Sequence, residues 1–147
     1  MMKTRKKCMA CFCMMLLLMT IVHSLTMVNV EAKSKTMYYH TNLTGNKSGV
    51  KRMKLSGNKL IIWGKIAKKP SSKKACSAYY SGKGMKYKKT TLVLSKTVKI
   101  FGIGGDGPAE RYSKAEFKKY FVKQPGIGLD LSLKQKNGKI VRIELWS

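Results

Sequence analysis

Residues 129–146 read LDLSLKQKNGKIVRIELW. Leu129, Leu131 and Leu133 alternate with Asp130, Ser132 and Lys134; Val141, Ile143 and Leu145 alternate with Arg142, Glu144 and Trp146. Period-two alternation on both sides of Asn137-Gly138 describes a β-hairpin with one buried face. The apolar pattern also chooses a register. A two-residue loop would set Leu133 against Arg142 and Leu131 against Glu144, mixing faces. A three-residue loop, Lys136-Asn137-Gly138, sets Leu133 against Val141, Leu131 against Ile143 and Leu129 against Leu145, with Gly138 at positive φ. The expectation is therefore the three-residue loop.

Upstream, Ser113 with Glu116 three residues later forms a capping box, and Tyr112 before the cap can staple to Phe117. Residues 113–122 are read as one helix with an apolar stripe of Phe117, Tyr120 and Phe121; Lys114, Lys118 and Lys119 face solvent, and Pro125-Gly126 ends it. Residues 90–94 and 97–101 read as a strand pair, with Ser95-Lys96-Thr97 as a tight connection facing Leu94 to Val98 and Leu92 to Ile100. Residues 60–67 form a strong strand with Leu60, Ile62 and Ile66 on one face and Gly64 leaving a gap there. Residues 50–55 are a short strand before a turn at Ser56-Gly57-Asn58, and residues 33–49 a polar tail or early loop. Residues 68–89, KKPSSKKACSAYYSGKGMKYKK, read as a long loop.

The principal order is strand, long loop, strand, strand, helix, strand, strand. The fold class expected is mainly β: a small five-stranded OB-like barrel over residues 50–147, with one short helix between strands 3 and 4. On GKI at residues 64–66, the pairs 92–94 and 98–100, and the closing NGKIVRIEL, the chain resembles uncharacterised small secreted proteins of low-GC Gram-positive bacteria. It is loosely similar to exported bacterial OB-fold domains. The resemblance covers roughly residues 50–147, implies a partly open barrel, and transfers no catalytic residue.

Residues 1–32 have the order of a secretory signal peptide: a basic head with Lys3, Arg5, Lys6 and Lys7, an apolar run to Val22, and Val30-Glu31-Ala32 before a cut. Thr20, His23, Ser24, Thr26 and Asn29 interrupt the apolar run, which argues against an uncleaved anchor. Cleavage near Ala32 removes Cys8, Cys11 and Cys13, so their C-x-x-C-x-C spacing drops out and Cys76 remains without an intramolecular disulfide partner. Residues 33–147 then hold 27 Lys and Arg against five acids, a net charge of +22. Only Arg52, Arg111 and Arg142 are arginines, so the surface suits diffuse attraction to polyanions more than bidentate readout.

The candidate ligand-binding residues are Lys68, Lys69, Lys73, Lys74, Tyr79, Tyr80, Lys83, Lys86, Tyr87, Lys88 and Lys89. Lysines can follow an anionic backbone while tyrosine rings stack on bases or sugars. The competing reading is a solvated lysine-rich loop without a ligand. Gly102 to Gly107 spells G-x-G-x-x-G, but Pro108 to Tyr112 separate it from the helix, and Asp130 is read as mid-strand, so a glycine loop is the better account. Cys76 and His40 are of nucleophile and base type, yet nothing in the sequence brings them together. Asp106, Glu110 and Arg111 are a thin cluster for a nuclease, and the sequons at Asn42 and Asn46 carry no weight in a bacterial chain. The expectation is thus an exported, monomeric, non-enzymatic binding domain, secreted or attached to the cell envelope, without cofactor or metal. Its partner would be an extracellular polyanion such as wall polymer, anionic membrane surface or nucleic acid. The alternative is a structural or accessory envelope protein without a specific ligand.

Overall fold

The computed structural model of the protein describes residues 34–83 and 85–147. The expected signal peptide and its cysteines lie outside those residues. The described chain is mainly β. Its strands are β1 (Thr36–Asn42), β2 (Val50–Ser56), β3 (Lys59–Gly64), β4 (Ala67–Lys69), β5 (Lys88–Ile103), β6 (Glu110–Tyr112), β7 (Asp130–Lys136) and β8 (Lys139–Trp146). Helix α1 (Ser72–Tyr80) connects β4 to β5; α2 (Lys114–Phe117) runs into a π-helical turn (Lys118–Val122) between β6 and β7. One curled, half-barrel sheet holds the strands in the order β2-β3-β5-β8-β7-β1-β4, with β6 beside β5. All pairs are antiparallel except β5 with β8. The sheet therefore has eight strands rather than the five expected.

The closing hairpin forms, but by a different device. Lys136 pairs with Lys139 around a two-residue turn in which Asn137 (φ 50°) and Gly138 (φ 79°) are both left-handed. That combination is the type I′ geometry favoured by Asn-Gly. The register then shifts between Lys134 and Gln135: Gln135 faces Ile140, Lys134 faces Arg142, Leu133 faces Ile143 and Leu131 faces Leu145. Val141 is the extra residue of a bulge, which corrects the expected three-residue loop. The bulge restores the buried face one residue later, so that Leu131, Leu133, Ile140, Ile143 and Leu145 are all buried.

Residues 90–101 are not a hairpin. They belong to the single sixteen-residue strand β5, whose first half pairs with β3 and whose second half pairs with β6. Ser95-Lys96-Thr97 lacks the Gly, Asn or Asp that a tight reversal needs. It forms a local irregularity between Leu94 and Lys99 against β8, where the Ser95 hydroxyl accepts from the Thr97 N–H at 3.3 Å. Leu92, Leu94 and Ile100 therefore line one core from one strand.

The segment expected as a tail carries β1. Tyr39 and Thr41 point inward opposite Leu133 and Leu131, while Tyr38 and His40 face the side that α1 packs on. Helix α1 replaces the middle of the expected loop. Ser71 caps it by accepting from the Lys74 N–H at 3.3 Å, and Ala75 and Tyr79, one turn apart, are its buried residues.

The capping box of α2 is present, with Ser113 Oγ accepting from the Glu116 N–H and Glu116 from the Ser113 N–H. The wider π turn after Phe117, closed by Lys123 N–H to Lys118 O at 3.2 Å, changes the expected stripe. It brings Phe121 and Val122 inward beside Phe117 and leaves Tyr120 45% exposed. Tyr112 meets Phe121 edge-on at 5.1 Å rather than stapling to Phe117. The core joins these aromatics to Leu43, Val50, Leu60, Ile62, Leu92, Leu94 and the inner face of β7–β8.

Candidate functional site

Two adjoining features on β4, α1 and their neighbours carry chemistry. The first is cationic. Lys68 and Lys69 are exposed on β4, which pairs with β1 through Tyr39↔Lys68 and Tyr38↔Lys69. After α1 the chain returns through residues 81–87 to β5. Lys83, Lys86 and Lys88 there share an open depression of about 360 Å³ with Lys68 and Lys69. Ile66, Ala67, Ala78 and Met85 complete its lining, and no acid contributes to it. Five of the eleven expected residues are thus brought together.

The other six do not line this depression. Lys73 and Lys74 are exposed in the first turn of α1, which holds no acid, so both charges oppose the helix dipole. Lys89 lies across from Trp63, its Nζ 5.8 Å from the indole centroid, and Arg52 approaches the same ring at 4.1 Å. Tyr87 is 38% exposed. Tyr79 is buried, with its hydroxyl 3.4 Å from the Ser48 carbonyl, and is not a stacking platform. Tyr80 remains 61% exposed but is committed at its hydroxyl, which donates to Asp130 at 2.6 and 2.7 Å to the two carboxylate oxygens. That bond, above all, pushes its pKa up to about 12.

The second feature is a polar cluster that sequence reasoning missed. Asp130 opens β7 rather than lying mid-strand, and pairs across with Asn42, whose amide donates to it at 2.8 Å. His40 faces Ser132 across the same strand pair, with Nδ1 3.0 Å from the Ser132 hydroxyl. Its Nε2 has no hydrogen-bond partner and is 3.6 Å from an Asp130 oxygen. The ring is 5% exposed and packs against Tyr79 and Tyr80, with centroids at 5.5 and 5.7 Å. Burial lowers the His40 pKa from 6.5, with Asp130 pulling the other way. The imidazole is therefore neutral at pH 7. The sequence signal was present as His40-x-Asn42 and Asp130-x-Ser132, polar side chains two apart on single strand faces.

This histidine has a consequence for stability. Below pH 6.5 the unfolded chain takes up a proton that the fold resists, so stability falls as pH drops from 6.5 toward the lowered native pKa, and is unaffected above 6.5. His40→Gln is expected to flatten that decline between pH 7 and 5 in urea midpoints. A slope equal to wild type would assign the decline to other groups.

Across the described residues Arg142–Glu144 is the ion pair, the neutral His40 lies beside Asp130, and no lysine lies within 4.0 Å of a carboxylate oxygen. No family model, no curated protein and no solved structure matches this chain.

Proposed function

We propose that this chain is an exported, monomeric binding domain for extracellular anionic polymers. Wall polymer, anionic membrane surface and nucleic acid are the partners of that chemistry. The observation that carries the reading is the depression bordered by Lys68, Lys69, Lys83, Lys86 and Lys88 without an acid, in a chain whose described lysines have no internal ion pairs. Lysines held close together repel one another, and a polyanion relieves that repulsion while releasing its own counterions. The cationic, aromatic face around Arg52, Trp63 and Lys89 offers further contact area. Export rests on the leader, with cleavage near Ala32.

The connectivity supports an OB-like reading of the sheet. The run β2-β3-β5 is an antiparallel meander, β5 is parallel to β8, and β8 turns back into β7 beside β1. In this reading β1 and β2 together make the first strand, and β4 with α1 is an insertion between the second and third.

The test is retention on heparin and affinity for a single-stranded oligonucleotide across a salt series. Engagement of five lysines gives a log–log salt slope of about −3.5 on the single-stranded oligonucleotide. Replacing Lys68, Lys69, Lys83 and Lys86 with Gln is expected to weaken binding at least about tenfold more than replacing Lys96, Lys99, Lys114 and Lys118. Equal losses would reduce the charge to bulk composition, and affinity independent of salt would remove the reading.

A further inference from the structure

Asp130 and Ser132 are two residues apart on β7 and so face the same side, and His40 on β1 bridges them. Its Nδ1 is 3.0 Å from the Ser132 hydroxyl and its Nε2 is 3.6 Å from Asp130. Asp130 is held in turn by the Asn42 amide and the Tyr80 hydroxyl. Hydroxyl, imidazole and carboxylate therefore stand in the order that activates a serine, with the base in reach of the nucleophile and an acid 3.6 Å from its other nitrogen. Ser132 is the member that opens outward. It lines a depression of about 270 Å³ together with Tyr38, Ser72, Lys134, Arg142 and Glu144. Glu144 holds the Arg142 guanidinium at 2.5 Å, while Lys134 has no carboxylate within 4.0 Å among the described residues. Ser72 opens α1, so its N–H has no intrahelical partner. Packing against Tyr79 and Tyr80 does not require a histidine, since an apolar side chain would fill the space without an orphaned nitrogen.

We propose that Ser132, His40 and Asp130 form a nucleophilic site that cleaves O-acyl esters on anionic molecules. The neutral imidazole carries its proton on Nε2, toward Asp130, and presents the Nδ1 lone pair to Ser132. The Ser132 oxygen attacks the ester carbonyl carbon and its proton passes to Nδ1. The carbon–oxygen bond to the alcohol breaks, and the departing alcohol oxygen takes that proton. Water then attacks the acyl-serine, giving a proton to Nδ1 and its oxygen to the acyl carbon. The Ser132 oxygen leaves and recovers the proton, so one ester and one water become one acid and one alcohol. Positive charge from Lys134 favours both an anionic substrate and the developing oxyanion. This step departs from the expectation of a non-enzymatic domain and does not depend on the polyanion reading, because its readout is covalent chemistry at one serine.

The full chain is treated with a fluorophosphonate, digested, and mapped by mass spectrometry. A single adduct on Ser132 is expected. Its rate of formation should fall at least about 100-fold in Asp130→Asn and in His40→Gln. The groups facing His40 are Asp130, Tyr79 and Tyr80, with Cys76 adjoining Tyr80 on α1. Cys76→Ser should leave the rate unchanged, and the rate should rise with pH through a midpoint below 6.5. With p-nitrophenyl acetate and an ester whose acyl chain ends in a sulfonate, Lys134→Gln should slow the second by the larger factor. Wild-type protein without an adduct on Ser132 overturns the proposal whatever the variants do. Labelling of Ser132 that is equal in Asp130→Asn overturns it as well.

Discussion

Phe117→Ala is expected to lower the unfolding free energy by about 3–5 kcal/mol, against a total of about 5–15 kcal/mol for a domain of this kind. Phe117 is fully buried, ends α2, and enters the core beside Phe121, with ring centroids 6.0 Å apart. The loss has two parts: the ring's transfer from water, and a cavity that the π turn cannot collapse into, since Phe121 and Val122 already fill the neighbouring space. Urea unfolding should show a lower midpoint with an unchanged m-value. Tyr120→Ala on the same turn should cost less than about 1 kcal/mol, because Tyr120 is 45% exposed. Equal costs for the two would mean that the helical stripe runs through Tyr120 and that the π turn does not reorient it.

That pair of residues marks where local reading of this chain works and where it stops. The capping box at Ser113 and Glu116 is a contact between residues three apart, so its sequence is its structure. The direction of Phe121 and Val122 depends on one extra residue in the following turn, which the apolar spacing alone does not reveal. The closing hairpin shows the same division. Alternation identifies both strands, but the count between Ile140 and Ile143, three rather than two, is the trace of the bulge at Val141. Strand β1 was harder to see because it is covered on both sides, by the core at Tyr39 and Thr41 and by α1 at His40. Its TMYYHTN therefore shows no clean alternation of apolar and polar faces, and is mostly β-branched and aromatic. Helix α1 hid behind lysines at Lys73 and Lys74, where a helix start would ordinarily carry acids.

The candidate site divides likewise. Charge is additive, so a lysine-rich segment is legible as such, and Lys68, Lys69, Lys83, Lys86 and Lys88 do gather around one depression. What composition cannot give is the direction of each side chain: Lys88 and Lys89 are neighbours in sequence and lie on opposite faces of β5. The His40, Asp130 and Ser132 cluster is assembled by the pairing of β1 with β7, across about ninety residues of chain. His40, read as part of a tail, and Asp130, read as mid-strand, come together only when that register sets His40 opposite Ser132 and diagonal to Asp130.

Gly64→Val is expected to destabilise at the upper end of the roughly 1–3 kcal/mol of an overpacked core, and to do so by prising β2 away from β3. The sequence shows Gly64 as a gap in the apolar face of its strand; the structure shows that the gap is occupied by backbone. A Cβ at Gly64 would meet the Gly49 carbonyl oxygen at 2.5 Å and the Val50 Cα at 2.8 Å. Neither is free to retreat. The Gly49 carbonyl accepts from the Lys65 N–H at 3.0 Å, and the Val50 carbonyl accepts from the Gly45 N–H at 2.9 Å. Behind them Gly49 has no room either, since a Cβ there would meet the Asn42 carbonyl, the Thr44 hydroxyl and the Tyr79 hydroxyl. Pushing this segment outward loosens the crossover from β1 to β2 and the contact with α1 together. Amide exchange should therefore accelerate at Gly45, Lys65 and the N-terminal half of β2 while the β7–β8 hairpin stays protected. Gly107→Ala is the control, since a Cβ there meets nothing within 4 Å, and it should leave the urea midpoint where it is. If Gly64→Val were as mild as that control, the close approach of β2 to β3 would not be what shapes this edge of the sheet.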